Sequence, residues 1–416
     1  MSQENGIPKI EAVPEPGSIV HIKQPMVRDY STGGGHGPED TLIEGDDQIV
    51  TQKWQGYPPV DLNVVGKSNA PLPEVAIPRH TGTAQYATRV WFRDLLYGKL
   101  LVNPHPRARI VSLDTSKAER MPGVAYILTA QNAPANFPMS EELRYAGEIV
   151  AIVAAETEDQ AEDAVAAIDV GYERLPFAAT LDQVMMPNAP QTRPDRENAS
   201  QLNIELGDVD GAFESADVVR EFTYYFGGAR PIPMQPASCV AKWEGDQLTF
   251  YGMGQRIYPH RQSLARGLGI DESNIRFINK WNGGTFGPDT GSVRFQVLIS
   301  HIAKMTGRPM KIVLPKDQEL GQMSVKPESL TRFKVGATSD GLITVCQREV
   351  HVAAGAGGGG AGGRGAGRSE LYLHVIPNWR EISYNYTTNS QLIGPSRSNA
   401  QQEFKFAWES MMDEMA

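Results

Sequence analysis

Glu148-Ile149-Val150-Ala151-Ile152-Val153-Ala154-Ala155-Glu156-Thr157-Glu158-Asp159-Gln160-Ala161-Glu162-Asp163-Ala164-Val165-Ala166-Ala167-Ile168-Asp169-Val170-Gly171-Tyr172 changes its hydrophobic period twice. Up to Ala155 it is an unbroken apolar run of strand length. Thr157 and Gln160 stand three apart, the spacing of a capping box that opens a helix. Ala161, Ala164, Val165 and Ile168 then recur at i, i+3, i+4 and i+7, one helical face. Asp169 to Tyr172 resumes a strand. Strand, helix and strand at this spacing predict a small α/β domain, taken as residues 81–186.

Toward the N-terminus, Val90–Phe92, Lys99–Val102, Ala108–Leu113 and, after Pro122-Gly123, Val124–Leu128 read as strands. Residues 1–80 are rich in Pro and Gly with little periodicity, and predict an extended arm lying on a partner or on the rest of the chain. Toward the C-terminus a polar linker, 187–206, leads into a second region, 207–416. There Asp217–Phe226 is strand-like, and Ser238–Trp243 and Leu248–Tyr251 flank a hairpin signal at Glu244-Gly245-Asp246-Gln247. A helix from Pro259 to Arg266 is expected to stop at Gly267. A strand at 275–279, a helix at 291–306 capped by Gly307, and a strand at Met310–Leu314 follow. Arg332–Val335 and Leu342–Val352 face each other across Ser339-Asp340-Gly341. The chain ends on an amphipathic helix, Glu403–Met415.

Composition excludes several classes. Apolar residues make up 40% and charged residues 21%, an ordinary globular balance. A formal net charge of −10 without any basic block argues against a nucleic-acid partner. No apolar run approaches the ~18 residues of a membrane span, and Met1-Ser2-Gln3-Glu4-Asn5 lacks the regions of a signal peptide, so a cytoplasmic location is expected. The two cysteines, Cys239 and Cys346, lie in strand-like runs and are too few for an iron–sulfur cluster. They are expected to be core thiols, and any cluster serving this chain would sit on another one.

Asn282-Gly283-Gly284-Thr285-Phe286-Gly287-Pro288-Asp289-Thr290-Gly291 links the 275–279 strand to the next helix. Three glycines around one aromatic describe a loop whose backbone comes close to something, because glycine leaves no Cβ in the way. The first amides of the following helix would favour an anionic or oxo group. The same residues suit a plain strand-to-helix turn with a core Phe equally well. The loop has no P-loop ending and is not GxGxxG. The later tract with glycines at 355, 357–360, 362, 363, 365 and 367 does match GxGxxG formally. No βαβ unit surrounds it, so it reads as a flexible or partner-draped loop.

Taken together, residues 82–416 resemble the molybdenum-binding subunit of the xanthine oxidase family, the molybdenum hydroxylases. The resemblance is carried by Leu96-Tyr97-Gly98-Lys99-Leu100-Leu101, Asn103-Pro104-His105-Pro106-Arg107-Ala108-Arg109-Ile110 and Met121-Pro122-Gly123-Val124. Gly147-Glu148-Ile149-Val150-Ala151, Tyr172-Glu173-Arg174-Leu175-Pro176 and Gly207-Asp208-Val209-Asp210 continue it in order. It implies an α+β chain: an α/β hammerhead domain followed by the first part of the molybdopterin-binding domain. It also implies a molybdenum-pyranopterin cofactor (molybdopterin, with the cytosine dinucleotide form as one option), and [2Fe-2S] and FAD on partner chains. The implied reaction oxidises an organic carbon, such as an aldehyde or N-heteroaromatic, with water-derived oxygen.

The resemblance assigns residues as well. Gln255 matches the Gln that hydrogen-bonds an oxo ligand of the metal, against the plainer reading of a solvent-facing strand end. Gly283, Gly284, Thr285, Phe286 and Gly287 match the loop beside the metal. Arg397, in Pro395-Ser396-Arg397-Ser398-Asn399, matches an Arg near the pterin, against the plainer reading of a surface residue; Ser398 and Asn399 are assigned to the cofactor with it. A five-donor cation suits an anionic cofactor. No side chain need ligate the metal, since the pterin supplies sulfur. Departures are informative: Asn399 replaces a stacking aromatic, Thr290 an acid of the purine oxidisers, and Gln235 a Glu. A purine substrate is therefore not expected. Family chains run on for roughly another 350 residues that carry a Glu general base. The expectation is thus a split subunit, completed by a second molybdopterin-binding half on another chain. A non-redox molybdenum hydratase and a non-catalytic assembly subunit are the alternatives.

Overall fold

The computed structural model describes residues 73–195, 197–288, 294–357, 376–397 and 401–416. Outside them lie residues 1–72 of the expected arm, Asp289–Gly291 at the end of the glycine loop, most of the later glycine tract, and Ser398 and Asn399. The contacts divide the chain into two units at Ala76/Ile77, a boundary that falls inside one helix, α1 (Pro73–His80); every other described element belongs to the second unit. Extended chain was expected at α1. Pro73 instead stands in the first turn, where its fixed φ suits a helix, and Arg79 and His80 stand in the last, where the helix dipole favours cations.

Residues 87–89 form a single 3₁₀ turn, and Val90–Phe92 form no strand. Phe92 packs 5.9 Å from the ring of Tyr251, with the Lys242 ammonium 5.2 Å from its centre, so the segment covers a sheet without joining it. The strands then run in order: β1 (Leu96–Val102), β2 (Ala108–Asp114), β3 (Val124–Thr129), β4 (Glu142–Leu143), β5 (Ile149–Ala155) and β6 (Asp169–Arg174). Between them lie α2 (Ser116–Glu119) and α3 (Glu158–Ala166). α3 has the expected cap, with Thr157 Oγ1 accepting from the Gln160 amide at 3.1 Å and Gln160 Oε1 accepting from the Thr157 amide at 3.1 Å. All seven residues of β5 are buried. Ala151, Val153 and Ala155 meet α3, while Ile149, Ile152 and Ala154 join the main core on the other face, which explains the unbroken apolar run.

The linker is not all linker. After α4 (Leu181–Val184), residues 199–206 form β7 (Ala199–Leu206), an edge strand whose exposed side chains gave no strand pattern. It exists because its backbone pairs antiparallel with a later strand. α5 (Val209–Glu214), β8 (Val218–Phe226), β9 (Ser238–Glu244), β10 (Gln247–Gly252), α6 (Ile257–Leu268), β11 (Ile275–Ile278), α7 (Arg294–Thr306) and β12 (Met310–Val313) come next. α6 outruns its expected stop by two residues, running to Leu268 with Gly269 at φ +69° as its cap. A Cβ on Gly267 would fall 2.7 Å from Val297 Cγ2, so that glycine permits close packing of α6 on α7 and is no terminator. α8 (Lys316–Gln322), β13 (Ser329–Ala337), β14 (Ile343–Ala353), β15 (Asn378–Tyr386) and α9 (Gln402–Met415) complete the described elements.

One seven-stranded sheet, in the order β11-β10-β9-β12-β1-β5-β3, contains strands from both regions. The junction is the parallel pairing of β1 with β12, Leu96 opposite Met310 and Gly98 opposite Ile312. α7 lies in its core through Phe295, Leu298, Ile299 and Ile302. A second sheet, β7-β15-β14-β13-β8, packs Phe333, Val335, Cys346 and Trp379 against Phe404, Ala407, Trp408 and Met411 of α9. The third, β4-β2-β6, is small. Cys239 and Cys346 are both free and buried, and burial pushes the Cys346 thiol well above its usual range.

Candidate active site

Three separated stretches meet in one open pocket of about 720 Å³, lined by Gly254, Gln255, Asn282, Gly284, Thr285, Phe286, Gly287, Pro395, Ser396 and Arg397. The first comes off the C-terminal end of β10, the second off the end of β11, and the third comes after the second sheet. Pockets at strand ends of this kind are common ligand sites.

The glycine loop is held by side chains around it. The Gly283 amide donates to Gln235 Oε1 at 2.5 Å, and the Gly284 amide to Asn282 Oδ1 at 3.1 Å. Gly284 and Gly287 both have φ +111°, and Phe286 at φ +53° is the one non-glycine with positive φ among the described residues. A bulky aromatic in that region is strained, by roughly 1–3 kcal/mol, and such strain tends to mark functional loops. Its ring is 43% exposed at the pocket, not in the core, so the plain-turn reading of a core Phe fails. A Cβ on Gly287 would stand 2.7 Å from Ser396 Cα, and the Arg397 amide donates to the Phe286 carbonyl at 2.6 Å. The loop and the Arg397 segment are therefore joined backbone to backbone.

Gln255 stands three residues beyond β10, and Thr285 Oγ1 donates to its Oε1 at 3.3 Å. The Gly254 carbonyl just before it accepts from Asn279 Nδ2 at 2.6 Å and Asn282 Nδ2 at 3.5 Å. Beneath it lies His260, fully buried, with Nε2 2.7 Å from Gln296 Oε1 and its ring 4.7 Å from that of Phe277. Burial pushes its imidazole down to about 4, against a smaller opposing effect of Gln296, so it is neutral. Pro233 to Ala237 is fixed by α8: Lys316 Nζ donates to the Pro233 carbonyl at 2.6 Å, and the Ala237 amide to Glu319 Oε2 at 2.8 Å. The start of α7 is clamped from the first region by Glu148, whose Oε1 is 2.9 Å from Arg294 Nη1. The helix expected from residue 291 is described from Arg294 on, and residues 289–293, between it and the loop, lie outside the described residues.

The structure thus brings Gln255, Gly284, Thr285, Phe286, Gly287 and Arg397 to one pocket, with Gly283 directly behind it on Gln235. Ser398 and Asn399, next to Arg397 in the chain, lie outside the described residues. Nothing in the sequence singled out the supports Asn279, His260 and Gln296. Asn282, Gly254 and Ser396, adjacent to motif residues, carried some signal.

The family model of the molybdopterin cofactor-binding domain matches residues 191–416, more than half of the chain. The chain belongs to the xanthine oxidase family of molybdenum hydroxylases. A second family model, the a/b hammerhead domain of aldehyde oxidase and xanthine dehydrogenase, matches residues 81–176. A probable xanthine dehydrogenase subunit of Bacillus subtilis is 29% identical over 350 residues, 81% of this chain and 47% of the relative. The nicotinate dehydrogenase large molybdopterin subunit of Eubacterium barkeri is 27% identical, over 86% of each chain. Quinoline 2-oxidoreductase of Pseudomonas putida 86 shares the fold at TM-score 0.73 and 22% identity, covering 82% of this chain and 47% of that one. The chain therefore spans about half the length of the Bacillus relative and of the solved structure.

The pocket suits the family cofactor on its own chemistry. Its described lining offers amides, two hydroxyls and a guanidinium and no carboxylate, which favours an anionic, oxygen-rich group. Two pocket-lining glycines with positive φ leave backbone where side chains would stand.

Proposed function

We propose that this chain is the first half of the molybdopterin-binding subunit of a cytoplasmic molybdenum hydroxylase, and that a second chain completes the site. The observation that carries the reading is the convergence of Gln255, the strained glycine loop and Arg397 on one pocket with no carboxylate among its described lining residues. When bound, the molybdenum-pyranopterin, as molybdopterin or its cytosine dinucleotide form, supplies two-electron oxidation of an organic carbon with water-derived oxygen. Gln255 donates its amide hydrogen toward the reacting oxygen. The Thr285 hydroxyl, bonded to Gln255 Oε1, holds that amide in one orientation. Such a preset donor stabilises charge as it develops without reorganising at the moment of reaction. Arg397, on the segment joined to the glycine loop, balances the anionic cofactor, and the exposed Phe286 offers an apolar surface to the substrate.

The open pocket supports completion by another polypeptide, and a relative of nearly the same length is itself named a large molybdopterin subunit. Electrons then leave through [2Fe-2S] and FAD on further subunits, because this chain has only two cysteines and both are buried. The substrate is an aldehyde or N-heteroaromatic. The test is turnover of such compounds by the purified complex in H₂¹⁸O with an artificial electron acceptor. Acceptor-dependent product carrying ¹⁸O is expected. Turnover that persists without any acceptor would show hydration instead, and no turnover across the panel would refute the catalytic reading.

A further inference from the structure

Gln235 carries the start of the glycine loop. Its Oε1 accepts from the Gly283 amide at 2.5 Å, and a Cβ on Gly283 would fall 2.7 Å from Gln235 Cβ. Gly283 is not among the described glycines with positive φ. Glycine therefore serves at 283 to let the Gln235 side chain approach, and the two residues form a matched pair.

The backbone of Gln235 is fixed on both sides. Lys316 Nζ donates to the Pro233 carbonyl at 2.6 Å, the Ala237 amide donates to Glu319 Oε2 at 2.8 Å, and Lys316 and Glu319 pair with each other at 3.0 Å within α8. Gln235 is 8% exposed, and its Nε2 is buried with no hydrogen-bond partner among the described residues. A buried amide with one end unsatisfied fills space badly, since an apolar chain of the same size would leave no such donor. What the amide supplies is its oxygen. The Gly283 residue it meets is half-buried, so water can take that bond's place on the backbone when the oxygen is gone.

We propose, resting on the function proposed above, that Gln235 is a positioning residue for the cofactor pocket. Its oxygen fixes the Gly283 peptide, and through it the wall formed by Gly284, Thr285 and Phe286, with no gain in fold stability. Thr285, two residues on, bonds Gln255 Oε1 at 3.3 Å, so the same bond governs where the Gln255 amide points. A reacting group misplaced by about 1 Å can lose on the order of 10²-fold in rate.

The test compares two variants in the purified complex: Gln235→Met, which fills the space without the acceptor, and Gln235→Glu, which keeps an acceptor oxygen. Hydrogen–deuterium exchange of the peptide covering 282–288 and a thermal melt need neither metal nor substrate. Gln235→Met should exchange these amides at least about tenfold faster than the parent. Its melting temperature should stay within about 2 °C of the parent's, and Gln235→Glu should restore slow exchange. In the loaded complex, kcat per bound molybdenum should fall about tenfold or more in Gln235→Met with KM within about threefold, and Gln235→Glu should recover most of the loss. Parent-like exchange or parent-like kcat in Gln235→Met, a melting temperature lowered beyond that range, or Gln235→Glu as impaired as Gln235→Met would each overturn the role of Gln235 alone. A complex without molybdenum would overturn the proposed function and that role with it.

Discussion

Gln255 is useful only if its amide is aimed, and aiming is what its neighbours do. Thr285 fixes its Oε1, while Asn279 and Asn282 hold the carbonyl of the preceding Gly254. Gln255→Ala should lower kcat on the order of 10–10³-fold with a smaller change in KM, as for other single donors to a reacting oxygen. A KM effect with kcat intact would mean that Gln255 only binds. Gly287→Ala should destabilise the fold by roughly 1–3 kcal/mol, because a left-handed φ and the backbone of Ser396 both oppose a Cβ. A melting temperature unchanged from the parent would contradict that. His260 gives a pH signature. Its folded-state value, pushed down to about 4, lies below the unfolded value near 6.5, so the unfolded chain binds the proton first. Stability is full above about pH 6.5 and falls as pH drops toward 4, by about 3 kcal/mol at most. Denaturant midpoints between pH 7 and pH 4 should show this fall, and His260→Gln should flatten it.

At the scale of elements, the sequence was legible where one period and one cap agree. Thr157 and Gln160 announced α3, and the hairpins at Gly245 and Gly341 announced β9–β10 and β13–β14. It was illegible where pairing partners decide. β7 is polar and exposed, and β15 was not read at all; they form because each offers the other an edge, eight register pairs long. Val90–Phe92 has strand composition, but Phe92 packs on Tyr251 and Lys242 over the sheet instead of pairing at an edge. Gly267 looked like a stop but marks a helix contact. The candidate site divides the same way. Its lining residues lie in motifs, while Asn279, His260 and Gln296 act through contacts that no single-chain pattern encodes. α9 carries much of the second core, and Trp408 is buried beside Trp379 and Phe404. Trp408→Ala should cost about 3–5 kcal/mol and lower the unfolding midpoint accordingly. A shift below about 1 kcal/mol would show that α9 is not integral to the sheet.

At the scale of the whole molecule, the two regions recognised in the sequence share a sheet. β1 is paired on one side with β5 and on the other with β12, which stands far along the chain in the second region. Residues 81–186 expressed alone should therefore expose the β1 edge and fail to give a cooperative melt, whereas the full chain should unfold through it as a unit. The pocket at the end of this sheet is open, and in the proposed function a second chain closes it over a molybdenum-pyranopterin. The most direct test is to purify the chain with everything that copurifies, measure molybdenum and released pterin per chain, and identify the companions by mass. About one molybdenum and one pterin per chain are expected, with a second molybdopterin-binding polypeptide present. A chain with neither metal nor pterin, in any complex that it forms, would contradict the proposed function.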